Sequence, residues 1–291
     1  MRTALAWIYL TCLMFAPALR AEDSASQKHL LRYKLTEGEE ILWSTLHLGA
    51  WTTKIKGHEQ KSTSTSKSTK MWRITEVTDE GRISFEHSIG DVAMTRQVGA
   101  RAAENYDSRT DVNPPPGYET VAATIGKTIT KAVIDDRGNV IERQDKFPKF
   151  NLAVGDLVTP LPEEAIAVGD EWYAPDEVKL PVKGGIKLVK LHRAFKLENV
   201  AAGLATIKFT TKVLTPVNDP HAEAQLIQHV TKGVIKFDVD AGRMLSRQLD
   251  WSDTVLGFEG PDSSMGYLAR FTEELITGEP RTASEKTKAA K

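Results

Sequence analysis

The sequence is short of nearly everything that announces a particular chemistry. It holds one cysteine, Cys12, so no intrachain disulfide or thiol pair can form. No apolar run reaches the roughly 20 residues that a membrane-spanning helix needs. Charge of neither sign is in excess, with 38 Lys and Arg against 39 Asp and Glu, which removes the electrostatic case for nucleic acid or an anionic membrane as partner. The seven histidines include no His-Glu-x-x-His pair. Read on a strand, His221 and His229 lie roughly 26 Å apart; His221 and Glu223 share a face but lack a third ligand. Ser263-Ser264-Met265-Gly266 follows Asp262 and so lacks the first glycine of a nucleophile elbow. Asp238-x-Asp240-x-Gly242 opens like a calcium loop, yet its twelfth position is Leu249 where a bidentate Glu is required. Glu39-Glu40 and Asp170-Glu171 are adjacent pairs, which a strand points to opposite faces, so neither can work on one bond. No catalytic residue, cofactor or metal is expected.

What is present begins with an export signal. Arg2, the apolar run from Ala4 to Phe15, and the small residues Ala16, Ala18 and Ala21 follow the grammar of a secretory leader. Tyr9, Leu10 and Thr11 suit lipid modification of Cys12 poorly, so ordinary cleavage near Ala18 or Ala21 is expected. The mature chain then loses Arg2, Arg20 and the cysteine, leaving 36 basic against 39 acidic residues and placing a soluble protein in the periplasm or outside the cell.

Alternation of period 2 dominates the rest. Ile83, Phe85, His87 and Ile89 share one face, as do Ala205, Ile207, Phe209 and Val213, and Leu245, Leu249, Trp251 and Val255. His87 reads as a hydrogen-bonded histidine at the core edge. The Ser/Thr/Lys alternation from Lys61 to Lys70 reads as a solvated, edge-like strand. Short helices are expected only at 119–125 and 163–167, with 100–105 ambiguous.

Three landmarks recur in order. Glu37 to Ile41 corresponds to Val168 to Trp172. Trp72-x-Ile74-x-x-Val77 with Gly81-x-Ile83-x-Phe85 corresponds to Phe195-x-Leu197-x-x-Val200 with Gly203-x-Ala205-x-Ile207. The turn from Ile134 to Val140 corresponds to that from Phe237 to Met244. The expectation is a mainly β protein of antiparallel sheets from two related, duplicated halves, curved or half-barrel-like, with one or two short helices. Its boundaries are a signal at 1–21, halves at 22–158 and 159–277, and a polar, disordered tail at 278–291.

The Leu-x-Tyr-x-Leu-x-x-Gly-Glu opening (Leu31 to Glu39), Trp72 to Val77, Tyr106-Asp107-Ser108 and Leu-Pro-x5-Val-Gly-Asp-x-Trp (Leu161 to Trp172) together resemble a family of exported bacterial β-rich proteins known only as a domain of unknown function. The resemblance implies an envelope or secreted location and supplies no catalytic residues. Three readings follow: a non-catalytic envelope protein binding an apolar small molecule, a lipid or an envelope component on a concave sheet face; a purely structural or interaction protein; or a hydrolase with dispersed catalytic residues. For the first, the candidate apolar contacts are Trp43, Trp51, Trp172 and Trp251, each also suited to plain core filling. A cavity of several hundred Å3 would favour binding, and a packed interior scaffolding.

Overall fold

A computed structural model describes residues 27–147, 157–182 and 185–277. The leader and the 278–291 tail lie outside the described residues. The alternating segments form long antiparallel strands. β1 (Lys28–His29) is followed by β2 (Glu40–Ile55), β3 (His58–Val77), β4 (Ile83–Val98), β5 (Glu104–Asp107), α1 (Glu119–Ala122), β6 (Thr128–Ile134) and β7 (Val140–Asp145). Then come β8 (Ile166–Ala167), β9 (Glu171–Val182), β10 (Gly185–Ala201), β11 (Leu204–Val213), α2 (Pro220–Leu226), β12 (Lys232–Asp238), β13 (Arg243–Leu256) and β14 (Ser263–Leu275). One sheet of 12 strands runs β7-β6-β4-β3-β2-β14-β13-β12-β11-β10-β9, with β5 added to β4. It curves without closing, so β7 and β9 are its edges.

The sheet consists of two meanders, β2-β3-β4-β6-β7 and β9-β10-β11-β12-β13, joined where the last strand, β14, pairs with β2. Their registers correspond. Ile41 faces Trp72 as Trp172 faces Phe195, and Ile74 faces Phe85 as Leu197 faces Ile207. A bulge follows immediately at Ile74/Glu76 and again at Leu197/Asn199. Ile134 pairs with Val140 and Phe237 with Met244, each beside a further bulge. The Gly38 N–H donates to Ile74 O (2.9 Å), and the Gly169 N–H to Leu197 O (2.8 Å). Each meander also departs from the sheet between its third and fourth strands to place a short helix: α1 lies in an apolar cluster with Ile89, Val92 and Tyr106, and α2 in one with Leu180, Val189 and Leu191.

The segment before β2 ties both meanders. The Tyr33 N–H bonds Asp136 O (2.7 Å) in one hairpin turn, and the Lys34 N–H bonds Gly242 O (2.9 Å) in the other. Gly138 and Gly242 have positive φ (79° and 61°), and a Cβ there would sit 2.7 Å from Tyr33 and 2.5 Å from Lys34 respectively. Glycine is therefore required twice over at both turns, by conformation and by contact.

Several expectations are corrected. Residues 166–167 form strand β8 against β1 instead of helix, and the ambiguous 100–105 stretch ends in β5. Lys61 to Lys70 is not an edge: β3 lies inside the sheet between β2 and β4, where the strand propensity of Thr and the small size of Ser suit it, and Lys70 is 5% exposed. Leu245 is the extra residue of a bulge, so Met244 takes the inner face. Val213 lies beyond the reach of β12 and is exposed. His221 and Glu223 belong to α2, where the Asp219 carboxylate caps the His221 N–H (3.0 Å) and Pro220 supplies the first turn.

Candidate functional site

Curvature turns the inner faces of both meanders toward one cavity of about 720 Å3. Both edge strands reach it, β7 through Arg143 and Asp145 and β9 through Asp176 and Val178, so the two edges face each other across one space. Strands β10 to β14 bring Phe195, Phe209, Ile235, Leu249, Trp251 and Phe271 to one wall, with Arg193, Thr211 and Arg247 among them. The opposite wall, from β3 to β7, is more polar: Lys70, His87, Thr130, Arg143 and Asp145, interrupted by Ile89 and Ile129.

The polar wall is anchored by a buried ion cluster. The fully buried Glu273 carboxylate of β14 accepts from Lys70 Nζ through one oxygen and from Arg247 Nη2 (2.8 Å) through the other. The Lys70 ammonium also rests 4.9 Å from the Trp43 ring centroid and 5.0 Å from that of Trp72. Burial pulls Lys70 down from the usual lysine range, against the opposing pull of Glu273. Burial alone would raise Glu273, but Lys70 and Arg247 outweigh it and hold the carboxyl below its usual range, so it is ionised at neutral pH. On the same wall, burial and then the Lys70 charge lower His87 to about 3. His87 is thus a neutral imidazole. The expected hydrogen bond is missing at its Nε2, a buried atom without a partner.

Of the four candidate tryptophans only Trp251 lines the cavity; it is buried, and its Nε1 donates to Gln228 O (2.9 Å), fixing the segment after α2. Trp43 is core, edge-on to Trp72 at 4.8 Å beside an internal void of about 10 Å3, too small for a ligand. Half-buried Trp51 stacks on Tyr267 (4.8 Å), and half-buried Trp172 stacks on Phe195 (5.3 Å) while donating to Pro160 O (3.0 Å). The motifs set aside by sequence serve turns. Ser263 Oγ donates to Gly260 O (2.7 Å) and accepts from the Glu259 N–H, and Asp238 accepts from the Ala241 N–H (2.8 Å). Among the described residues no group of three or more His, Cys, Asp or Glu side chains converges on a metal position.

The charged members of the site escape a reading confined to apolar residues. Their signal is a charged residue at an inward position of an alternating strand: Arg247 in phase with Leu249 and Trp251, and Glu273 in phase with Phe271 and Ala269.

No family and no curated protein matches the sequence. Among solved structures, a study of lipid–protein interactions in lipovitellin matches at TM-score 0.44 and 9% identity, over 84% of this chain and 25% of that one. This chain thus spans about a quarter of that protein's length. The translocator domain of autotransporter NalP from Neisseria meningitidis matches at TM-score 0.28 and 8% identity, over 83% and 89% of the respective chains. Both scores are too low to carry the fold or activity of either protein to this one.

Proposed function

We propose that this is an exported, non-catalytic binding protein that holds an apolar or amphipathic small molecule in the concavity of an open half-barrel built from two copies of one strand meander. The observation that carries the reading is the cavity itself. Its volume of about 720 Å3 lies within the span typical of small-molecule sites, and its lining combines aromatic and aliphatic side chains of β10 to β14 with charged ones. The export reading of the leader, and the resemblance to exported β-rich proteins, belong to the same proposal and make an envelope lipid or a related amphiphile the natural ligand class.

The test is organic extraction of protein purified under native conditions, followed by mass spectrometry, alongside titration with cis-parinaric acid. A stoichiometric amphiphile, or saturable probe binding that Val178→Trp at the cavity rim diminishes, supports the reading. An extract with no bound molecule, together with no saturable binding, removes it.

A further inference from the structure

The register of the two meanders carries a second message about the cavity. Ala132 and Ile235 are equivalent positions, and across the next strand they face Arg143 and Arg247. Trp72 and Phe195 are likewise equivalent, and two residues before them stand Lys70 and Arg193. All four basic residues line the one cavity. Their neighbours have diverged: His87 faces Trp72 where Phe209 faces Phe195, and Trp43 faces Lys70 where Ala174 faces Arg193.

The acids that accompany these bases do not repeat. Glu273, which takes Lys70 and Arg247, belongs to β14 and so to neither meander. Asp176, 4.0 Å from Arg193, has Thr45 at its equivalent position, and Asp145, 3.0 Å from Arg143, has Leu249. A base kept for a structural ion pair would keep its partner with it, because a buried charge stripped of its partner is costly. Here the bases recur, while the acids beside them, Glu273, Asp176 and Asp145, do not.

We infer that the cavity selects an amphiphile with an anionic head, a carboxylate or a phosphate. The head pairs with Arg143 and Arg193, while Lys70 and Arg247 stay on the buried Glu273 carboxylate, and the apolar part lies beside Phe209, Leu249 and Trp251. This rests on the cavity being a ligand site. Guanidinium groups suit both head chemistries through paired N–H donors, and a partly desolvated cavity strengthens the attraction.

The experiment compares cis-parinaric acid with its methyl ester on the full chain and on Arg143→Gln, Arg193→Gln and Arg193→Lys. The acid is expected to bind at least about tenfold more tightly than the ester. Each Gln variant should lose about tenfold for the acid and leave the ester unchanged, with Arg193→Lys losing less. Competition by lauric acid and by dodecyl phosphate then identifies the head as carboxylate or phosphate. Equal binding of acid and ester, or a parallel loss of both in the variants, overturns the anionic head while leaving the cavity reading intact. Displacement of the probe by inorganic phosphate alone overturns the amphiphile. Failure of both probes overturns the two readings together. Arg143 has a half-exposed side chain, so its variant decides the matter if Arg193→Gln does not fold.

Discussion

The two meanders share bulges, turn glycines and strand order, yet they bury different things against the cavity. The first places Lys70 and neutral His87 inside, under Trp43 and Trp72. The second fills the matching positions with Arg193 and Phe209 and surrounds them with Phe195, Ile235 and Leu249. The hydrogen-bonded frame and the inner lining are therefore separable. Turn geometry and bulges fix the frame, and either a polar or an apolar lining can be mounted on it.

The largest expected consequence of that contrast is a pH dependence centred on His87 of the first meander. Burial keeps His87 neutral, at about 3 against an ordinary 6.5. Its contribution is therefore fully present above pH 6.5 and lost as pH falls toward 3, a change on the order of 5 kcal/mol. His87→Phe, which copies Phe209, should flatten this part of the stability profile measured by denaturant titration. An unaltered profile would show that the imidazole is not held neutral.

Lys70→Met comes next. It leaves Glu273 buried with Arg247 as its remaining cluster partner and should cost about 3 kcal/mol at neutral pH. Replacing Lys70, Arg247 and Glu273 together with apolar residues of similar volume should recover most of that loss. If the single and triple variants unfold alike, the cluster is not a coupled unit.

The smallest effect concerns the strand starts. Trp172 occupies the place of Ile41, but it is half-buried where Ile41 is 3% exposed. Trp172→Ala should cost about 2 kcal/mol, from lost stacking on Phe195 and the bond to Pro160, and Ile41→Ala at least as much. A loss below about 0.5 kcal/mol at Trp172 would break the equivalence in packing, though not in register.

The frame was more legible in the sequence than the lining. Gly38, Gly138, Gly169 and Gly242 are visible because a positive φ at a turn leaves little choice of residue, and Trp72 and Phe195 mark their strands through the spacing that follows. The helix α2 announces itself through Asp219-Pro220, a cap followed by a preorganised first turn, but reading His221 and Glu223 as strand residues obscures it. The ion cluster is harder, since Lys70 and Glu273 are 203 residues apart and neither residue names the other. A lysine ending a Ser/Thr alternation looks like solvent-facing polarity until β2 and β4 are known to flank it on both sides.

The pairing of β14 with β2 places the last long strand at the centre of the sheet, beside the first. Edge-to-edge joining of the two meanders consequently depends on β14. β2 and β13 do not pair directly, so joining the two meanders edge to edge through β14 needs loop closure across nearly the whole chain. Removing β14 would not trim an edge but would split the sheet in two, leaving the halves tied by the segment before β2 and by the shared apolar core.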